Sequence, residues 1–307
     1  MVLASILIII SIVILYYGAE FSLEASEIIG KKIGLSPLMI GMLLVGFGTS
    51  LPEFFVGHIA GVQSKAGIAV GSLVGSNIAN MFLILGLSGL LTSMSLSGKG
   101  IKKQLIIHFL LGLVLIFVLK QDNLNVLTAS PLIVICGVYL FLLLDDFKKT
   151  GQEIHKEEIS FNPNVIFLKL VGGFGMLYLG GELLVKGGTD LCLALGVREY
   201  IVSAIFIAFG TSFPELVTSI MAAKKKKESD LIVGNIIGSN LFNCAFILGS
   251  LGIYNIKISG NYFYEMIAIS FGAGLLLVLN ILNKPFNKYG GIVFLLSYMA
   301  MIWVWIK

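Results

Sequence analysis

Apolar runs of about 20 residues recur from one end of the chain to the other, each long enough to cross a bilayer. They predict ten spans, at 2–29, 37–62, 67–92, 103–120, 128–145, 164–195, 200–223, 230–254, 262–282 and 287–306. All ten are expected to be α-helical. A helix satisfies its own backbone in lipid, and the short connections give no sign of a barrel. Two polar interruptions fall inside spans: "GTSLPE" (48–53) in the second and "GTSFPE" (210–215) in the seventh. A glutamate at such depth is costly unless something compensates it.

The interruptions belong to a repeat. "YYGAE" (16–20) returns as "YLGGE" (178–182), "GTSLPEFF" (48–55) as "GTSFPELV" (210–217), and "GSLVGSNIAN" (71–80) as "GNIIGSNLFN" (234–243). The offset is 162 for the first two pairs and 163 for the third. Three blocks in register divide the chain into residues 1–145 and 164–307, joined by a charged linker, 146–163. Five spans per half is an odd number, so the second half points the opposite way across the membrane. Inverted-topology repeats are an architecture of secondary transporters, with substrate sites near the midplane between the halves.

Composition fits this reading. Of 307 residues, 57% are hydrophobic and 12% charged, and the mean hydropathy is +0.98; a soluble domain is closer to a quarter charged. Fourteen lysines (31, 32, 99, 102, 103, 148, 149, 156, 224–227, 284, 288) fall on one side of the predicted spans. Five basic residues (Lys65, Lys120, Arg198, Lys257, Lys307) fall on the other. The positive-inside rule places the lysine-rich loops, with 146–163, in the cytoplasm and both termini outside. Trp303 and Trp305 read as an outer interfacial anchor. The first span lacks the basic start and small-residue cleavage site of a signal peptide. A net charge of +4 carried in short loops does not point to nucleic acid.

The chemistry lies in the repeated blocks. Proline lacks an N–H, so within a helix Pro52 and Pro214 free the carbonyls of Gly48 and Gly210. Thr49, Ser50 and Glu53 share a face, as do Thr211, Ser212 and Glu215; Ser76 and Asn80, then Ser239 and Asn243, follow at i, i+4. Carboxylates, hydroxyls, amide oxygens and carbonyls are hard donors that suit Ca2+ and Na+ rather than zinc or copper. Cys136, Cys192 and Cys244 stand apart with no metal-binding spacing. Two glutamates balance one Ca2+ or two Na+; emptied, they repel and one tends to take a proton. The residues alone therefore leave Na+ or H+ as the ion exchanged for a divalent one, with a channel as the rival from another class. No His/Ser or paired-Asp constellation marks an enzyme, and nothing calls for an organic cofactor.

These blocks resemble the α-repeats of the cation/Ca2+ exchanger superfamily, most closely its prokaryotic Na+/Ca2+ exchanger branch. The resemblance implies antiport of Na+ against Ca2+ by alternating access in a cell (plasma or inner) membrane, by a monomer surrounded by lipid. It assigns Ca2+ to Glu53 and Glu215 with carbonyls at or near Thr49 and Thr211. Na+ falls to Ser50, Glu53, Ser76, Ser212, Glu215, Ser239 and the carbonyls of Gly46 and Ala208, with Asn80 and Asn243 completing the ring. It further implies that the first and sixth spans slide as a pair. Asn243, where some relatives carry Asp, argues for K+ independence. Ca2+/H+ exchange on the same fold ranks second.

Three further expectations concern charged residues outside the motifs. Glu20, Glu24 and Glu27 line one face of the first span and are expected to pair with Lys31 and Lys32 or meet solvent. Glu182, Lys186 and Asp190 repeat that stripe. His58 is expected to be a satisfied side chain rather than a ligand, and His108 to sit at a span end.

Overall fold

The computed structural model describes residues 2–98, 100–150, 162–195, 212–225, 229–258 and 260–306. Within them the chain is helical throughout, except for two two-residue strands and short connections. The helices are α1 (Val2–Ile33), α2 (Pro37–Thr49), α3 (Leu51–Val62), α4 (Ala66–Leu91), α5 (Ile101–Val118), α6 (Val126–Thr150), α7 (Pro163–Ala194), α8 (Phe213–Lys224), α9 (Ser229–Tyr254), α10 (Phe263–Ile281) and α11 (Lys288–Ile306).

Eight of these are long and apolar enough to cross a membrane alone. The predicted second span is a broken pair: α2 and α3 meet at 45° around Ser50. The predicted seventh span, 200–223, lies partly outside the described residues, and α8 is its described portion. Helix α6 runs five residues past the predicted end. Asp145, Asp146, Lys148 and Lys149 therefore belong to its last turns, where Lys149 meets Asp145 at 2.6 Å and Lys103 of α5 holds Asp146.

Helices α4 and α9 form the centre. The most apolar stretches of these two are 78% and 89% buried, against 22% for α6 and α7. Small residues let α2 approach α9: a Cβ on Gly234 would lie 2.4 Å from the Leu38 carbonyl oxygen, and one on Gly238 2.6 Å from Met42 Cα. This is the small-residue packing expected of apolar helices, which lack a hydrophobic drive toward one another. Helices α1 and α7 pack along their lengths in the same way, with Gly173 so close that a Cβ would sit 2.6 Å from the Ser22 amide.

Short backbone pairings tie the connections. Strands β1 (Asn123–Leu124) and β2 (Ile256–Lys257) pair antiparallel, joining the α5–α6 and α9–α10 connections. Met94 and Phe286 exchange two hydrogen bonds, at 2.8 and 2.9 Å, joining the α4–α5 and α10–α11 connections.

Candidate ion-binding site

The backbone of the first motif explains where its glutamate stands. Ser50 leaves the helix at φ −86°, ψ 6°, and α3 begins at Leu51 with Pro52 in its first turn. Ser212 adopts φ −88°, ψ 4°, and α8 begins at Phe213 with Pro214 in its first turn. The prolines therefore open new helices, where a missing N–H is harmless, and the break expected from sequence falls at Ser50 in the first motif. Glu53 and Glu215 each fall in a first turn, where unbonded N–H groups and the helix dipole favour an anion.

Both carboxylates are fully buried, at 0% exposure. Ser76 Oγ donates to Glu53 Oε1 at 3.1 Å, and Ser212 Oγ donates to Ser76 Oγ at 3.1 Å. Ser50 Oγ donates to Glu215 Oε1 at 3.2 Å. On the same side, Ser239 Oγ donates to the Gly46 carbonyl at 3.1 Å and lies 3.4 Å from Thr49 Oγ1, which itself donates to the Val45 carbonyl at 3.0 Å. Both halves thus interlock through hydroxyls around two carboxylates. Asn80 and Asn243 are buried, and neither side-chain amide has a hydrogen-bond partner among the described residues; the same holds for Glu215 Oε2. Oxygens left bare inside a low-dielectric core are costly, and they are the donor type a hard cation takes.

The structure brings together Thr49, Ser50, Glu53, Ser76, Ser212, Glu215 and Ser239, and the carbonyl of Gly46, through these bonds. Thr211 and Ala208 lie outside the described residues. Sequence reasoning did not foresee that each of the site helices α4 and α9 widens into a π turn, at Ala79–Ile84 and Phe242–Ile247. Asn80 and Asn243 are the second residues of these turns. A π turn carries no sequence signature beyond its surroundings and often marks a functional position.

The expected surroundings of the site differ in detail. Glu24 pairs with Lys169 of α7 at 2.7 Å, and Glu20 with Lys225 after α8 at 2.7 Å, rather than with Lys31 and Lys32; both acids also meet solvent, the other arm of the expectation. Glu182, Lys186 and Asp190 are exposed on α7. His58 is satisfied as expected, by Tyr254 Oη and Ser250 Oγ, both at 3.0 Å. His108 is in the second turn of α5 and fully buried beside Asn240, not at a span end, because that turn packs inward on α9. Trp303 faces outward, but Trp305 turns in to donate to Glu265 at 2.7 Å. A 730 Å3 apolar cavity runs beside the site between α2–α3 and α7, reaching Thr49, Pro52, Phe174 and Pro214.

The family model described as sodium/calcium exchanger protein matches residues 3–144 and again 165–307. The chain is 31% identical to Uncharacterized membrane protein MJ0091 of Methanocaldococcus jannaschii, over 95% of each. It is 28% identical to the Sodium/calcium exchanger MaX1 of Methanosarcina acetivorans, over 97% of each. Among solved structures, the sodium-calcium exchanger NCX_Mj soaked with zero Na+ and Ca2+ superposes with a TM-score of 0.82 at 27% identity, covering 98% of this chain and 99% of that one. With nearly its whole length matched in two segments, and with two buried glutamates where those segments interlock, the chain belongs to the sodium/calcium exchanger family.

Proposed function

We infer that this protein is a multi-pass membrane antiporter that exchanges Na+ for Ca2+ at the site built around Glu53 and Glu215. The observation that carries the reading is the burial of both carboxylates, one from each half, in a ring of neutral oxygens with no sulfur or imidazole bonded to them among the described residues. One Ca2+ or two Na+ neutralise the pair, so either load removes the penalty of two buried like charges. Competition for the same carboxylates is what couples the two fluxes. A third Na+ would leave the loaded site positive and make exchange voltage-dependent.

In this reading Ca2+ lies between Glu53 and Glu215 with carbonyls at or near Thr49 and Thr211. Na+ takes Ser50, Ser76, Ser212, Ser239 and the Gly46 and Ala208 carbonyls, and Asn80 and Asn243 close the ring. Ten spans form two inverted five-helix halves, 1–145 and 164–307, with 146–163 as a cytoplasmic linker and the termini outside. Support comes from the pairings between connections: α4–α5 with α10–α11, and α5–α6 with α9–α10, each join loops that the inverted topology puts on one side. The protein works as a monomer in a plasma or inner membrane, without enzyme activity or an organic cofactor. Helices α1 and α7, joined by Glu24–Lys169, form the unit that slides past the site.

Proteoliposomes test this directly. An outward Na+ gradient is expected to drive 45Ca2+ uptake, and collapsing it with a Na+ ionophore to stop that uptake. Uptake driven by a pH gradient alone, and indifferent to Na+, would overturn the reading in favour of proton coupling.

A further inference from the structure

One turn beyond the two glutamates the halves stop matching. Along α8, Glu215 is followed by Thr218 and Ser219; the repeat positions on α3 are Val56 and Gly57. Facing them on α9 is Asn235, one turn before Ser239 on the same face. Its repeat position on α4 is Ser72, which bonds back to its own helix at the Ala69 carbonyl.

Asn235 Nδ2 donates to Thr218 Oγ1 at 3.2 Å and to Ser219 Oγ at 3.0 Å. The Thr218 hydroxyl donates in turn to the carbonyl of Pro214 at 2.8 Å. Two hydroxyl oxygens therefore present lone pairs to one point. All three side chains are at least 98% buried, and Asn235 Oδ1 has no hydrogen-bond partner among the described residues. Buried amide oxygens are nearly always bonded, and a bound water or ion is the usual partner where protein supplies none. A half-turn of the amide brings Oδ1 to the point where its nitrogen now sits, because the two ends have nearly the same shape. Three neutral hard oxygens then converge.

We propose that Thr218, Ser219 and Asn235 form a way-station for Na+ between the glutamate site and the Lys225 end of α8. The absence of a carboxylate among the three suits a monovalent ion, since tight Ca2+ sites gather charged ligands. Position supports the same role: Asn243, Ser239 and Asn235 descend one face of α9 toward the end where Glu20 of α1 meets Lys225. The way-station rests on the assignment of Glu53 and Glu215 to the transported ions.

Two transport modes separate a Na+ way-station from a structural clamp. Na+-driven Ca2+ uptake and Ca2+/Ca2+ tracer exchange are measured in the same proteoliposomes for wild type, Asn235→Leu and Ser219→Ala. Asn235→Leu is expected to raise the Na+ concentration for half-maximal uptake about three- to tenfold, the scale of one lost polar contact, while Ca2+/Ca2+ exchange falls far less. Ser219→Ala removes one hydroxyl, leaves packing nearly intact, and is expected to shift Na+ dependence about twofold in the same direction. Equal losses in both modes would show a clamp between α8 and α9 and overturn the proposal, as would unchanged Na+ dependence in both variants. Glu215→Gln, run alongside, tests the underlying assignment: if it sustains Ca2+/Ca2+ exchange, the glutamate site is wrong and the way-station falls with it.

Discussion

The two GTSxPE motifs share their sequence, and Ser50 and Ser212 share their backbone angles, yet these two serines do different things. Ser50 of the first motif crosses to the second half and donates to Glu215. Ser212, its repeat partner, donates not to Glu53 but to Ser76. Ser76 in turn donates to the glutamate of its own half, and its repeat partner Ser239 stands beside Glu215 of its own half while donating to the Gly46 carbonyl of the other. Among the described residues, Ser50 and Ser212 thus hold unlike bonds at like positions. The difference teaches that the repeat specifies an inventory of oxygens, while packing specifies which oxygen each of these two hydroxyls serves.

The largest test removes charge from either half. Glu53→Gln and Glu215→Gln are each expected to abolish Na+-driven 45Ca2+ uptake, by about 100-fold or more given the worth of a buried charged ligand, with normal membrane insertion. Uptake at the wild-type rate in either variant would break the site assignment. The asymmetry itself is tested next. Ser50→Ala removes a direct donor to a carboxylate and is expected to lower the uptake rate about tenfold, the scale of a hydrogen bond to a charged group. Ser212→Ala removes a hydroxyl-to-hydroxyl bond, and about two- to threefold is expected; equal effects would mean that the two serines are interchangeable in the working cycle.

Smaller effects sharpen the comparison. Pro52→Ala lets the backbone of α3 run back toward α2 without touching charge, so a partial loss of uptake is expected, less than either Gln variant. Asn243→Asp adds a carboxylate to one π turn and not to its partner, and is expected to change cation preference in assays with K+ replacing Na+. The smallest expected effect is at the ion pair between α1 and the end of α8. Glu20 and Lys225 are both about one-third exposed, and such pairs contribute about 0–1 kcal/mol. Glu20→Gln should therefore change uptake by no more than about fivefold, read as a difference in rate between high and low salt.

Much of the site was legible because a buried charge in lipid is rare enough to stand out. Glu53 drew attention as an isolated acid in an apolar run, and the repeat supplied Glu215. A proline break is legible in the sequence, but its exact place is not: within a helix or at the start of one, proline leaves the same mark. The π turns at Asn80 and Asn243 were invisible, since an extra residue in a turn changes geometry without changing composition. The partners of Glu20 and Glu24 are not legible for a related reason. Helical spacing offered Lys31 and Lys32, but a long-range contact brought Lys225 and Lys169 closer.

What the sequence determined by itself is a helical membrane chain, an internal repeat and the kinds of oxygen placed in it. These follow from local rules: length against bilayer thickness, and side-chain type against depth. Only the tertiary structure decided which oxygens meet. Ser50 and Glu215 are 165 positions apart, and their contact depends on glycines that let α2 lie against α9. In lipid no solvent force chooses between apolar faces, so close packing of small residues makes that choice, and packing is a property of two surfaces rather than of one strip of sequence.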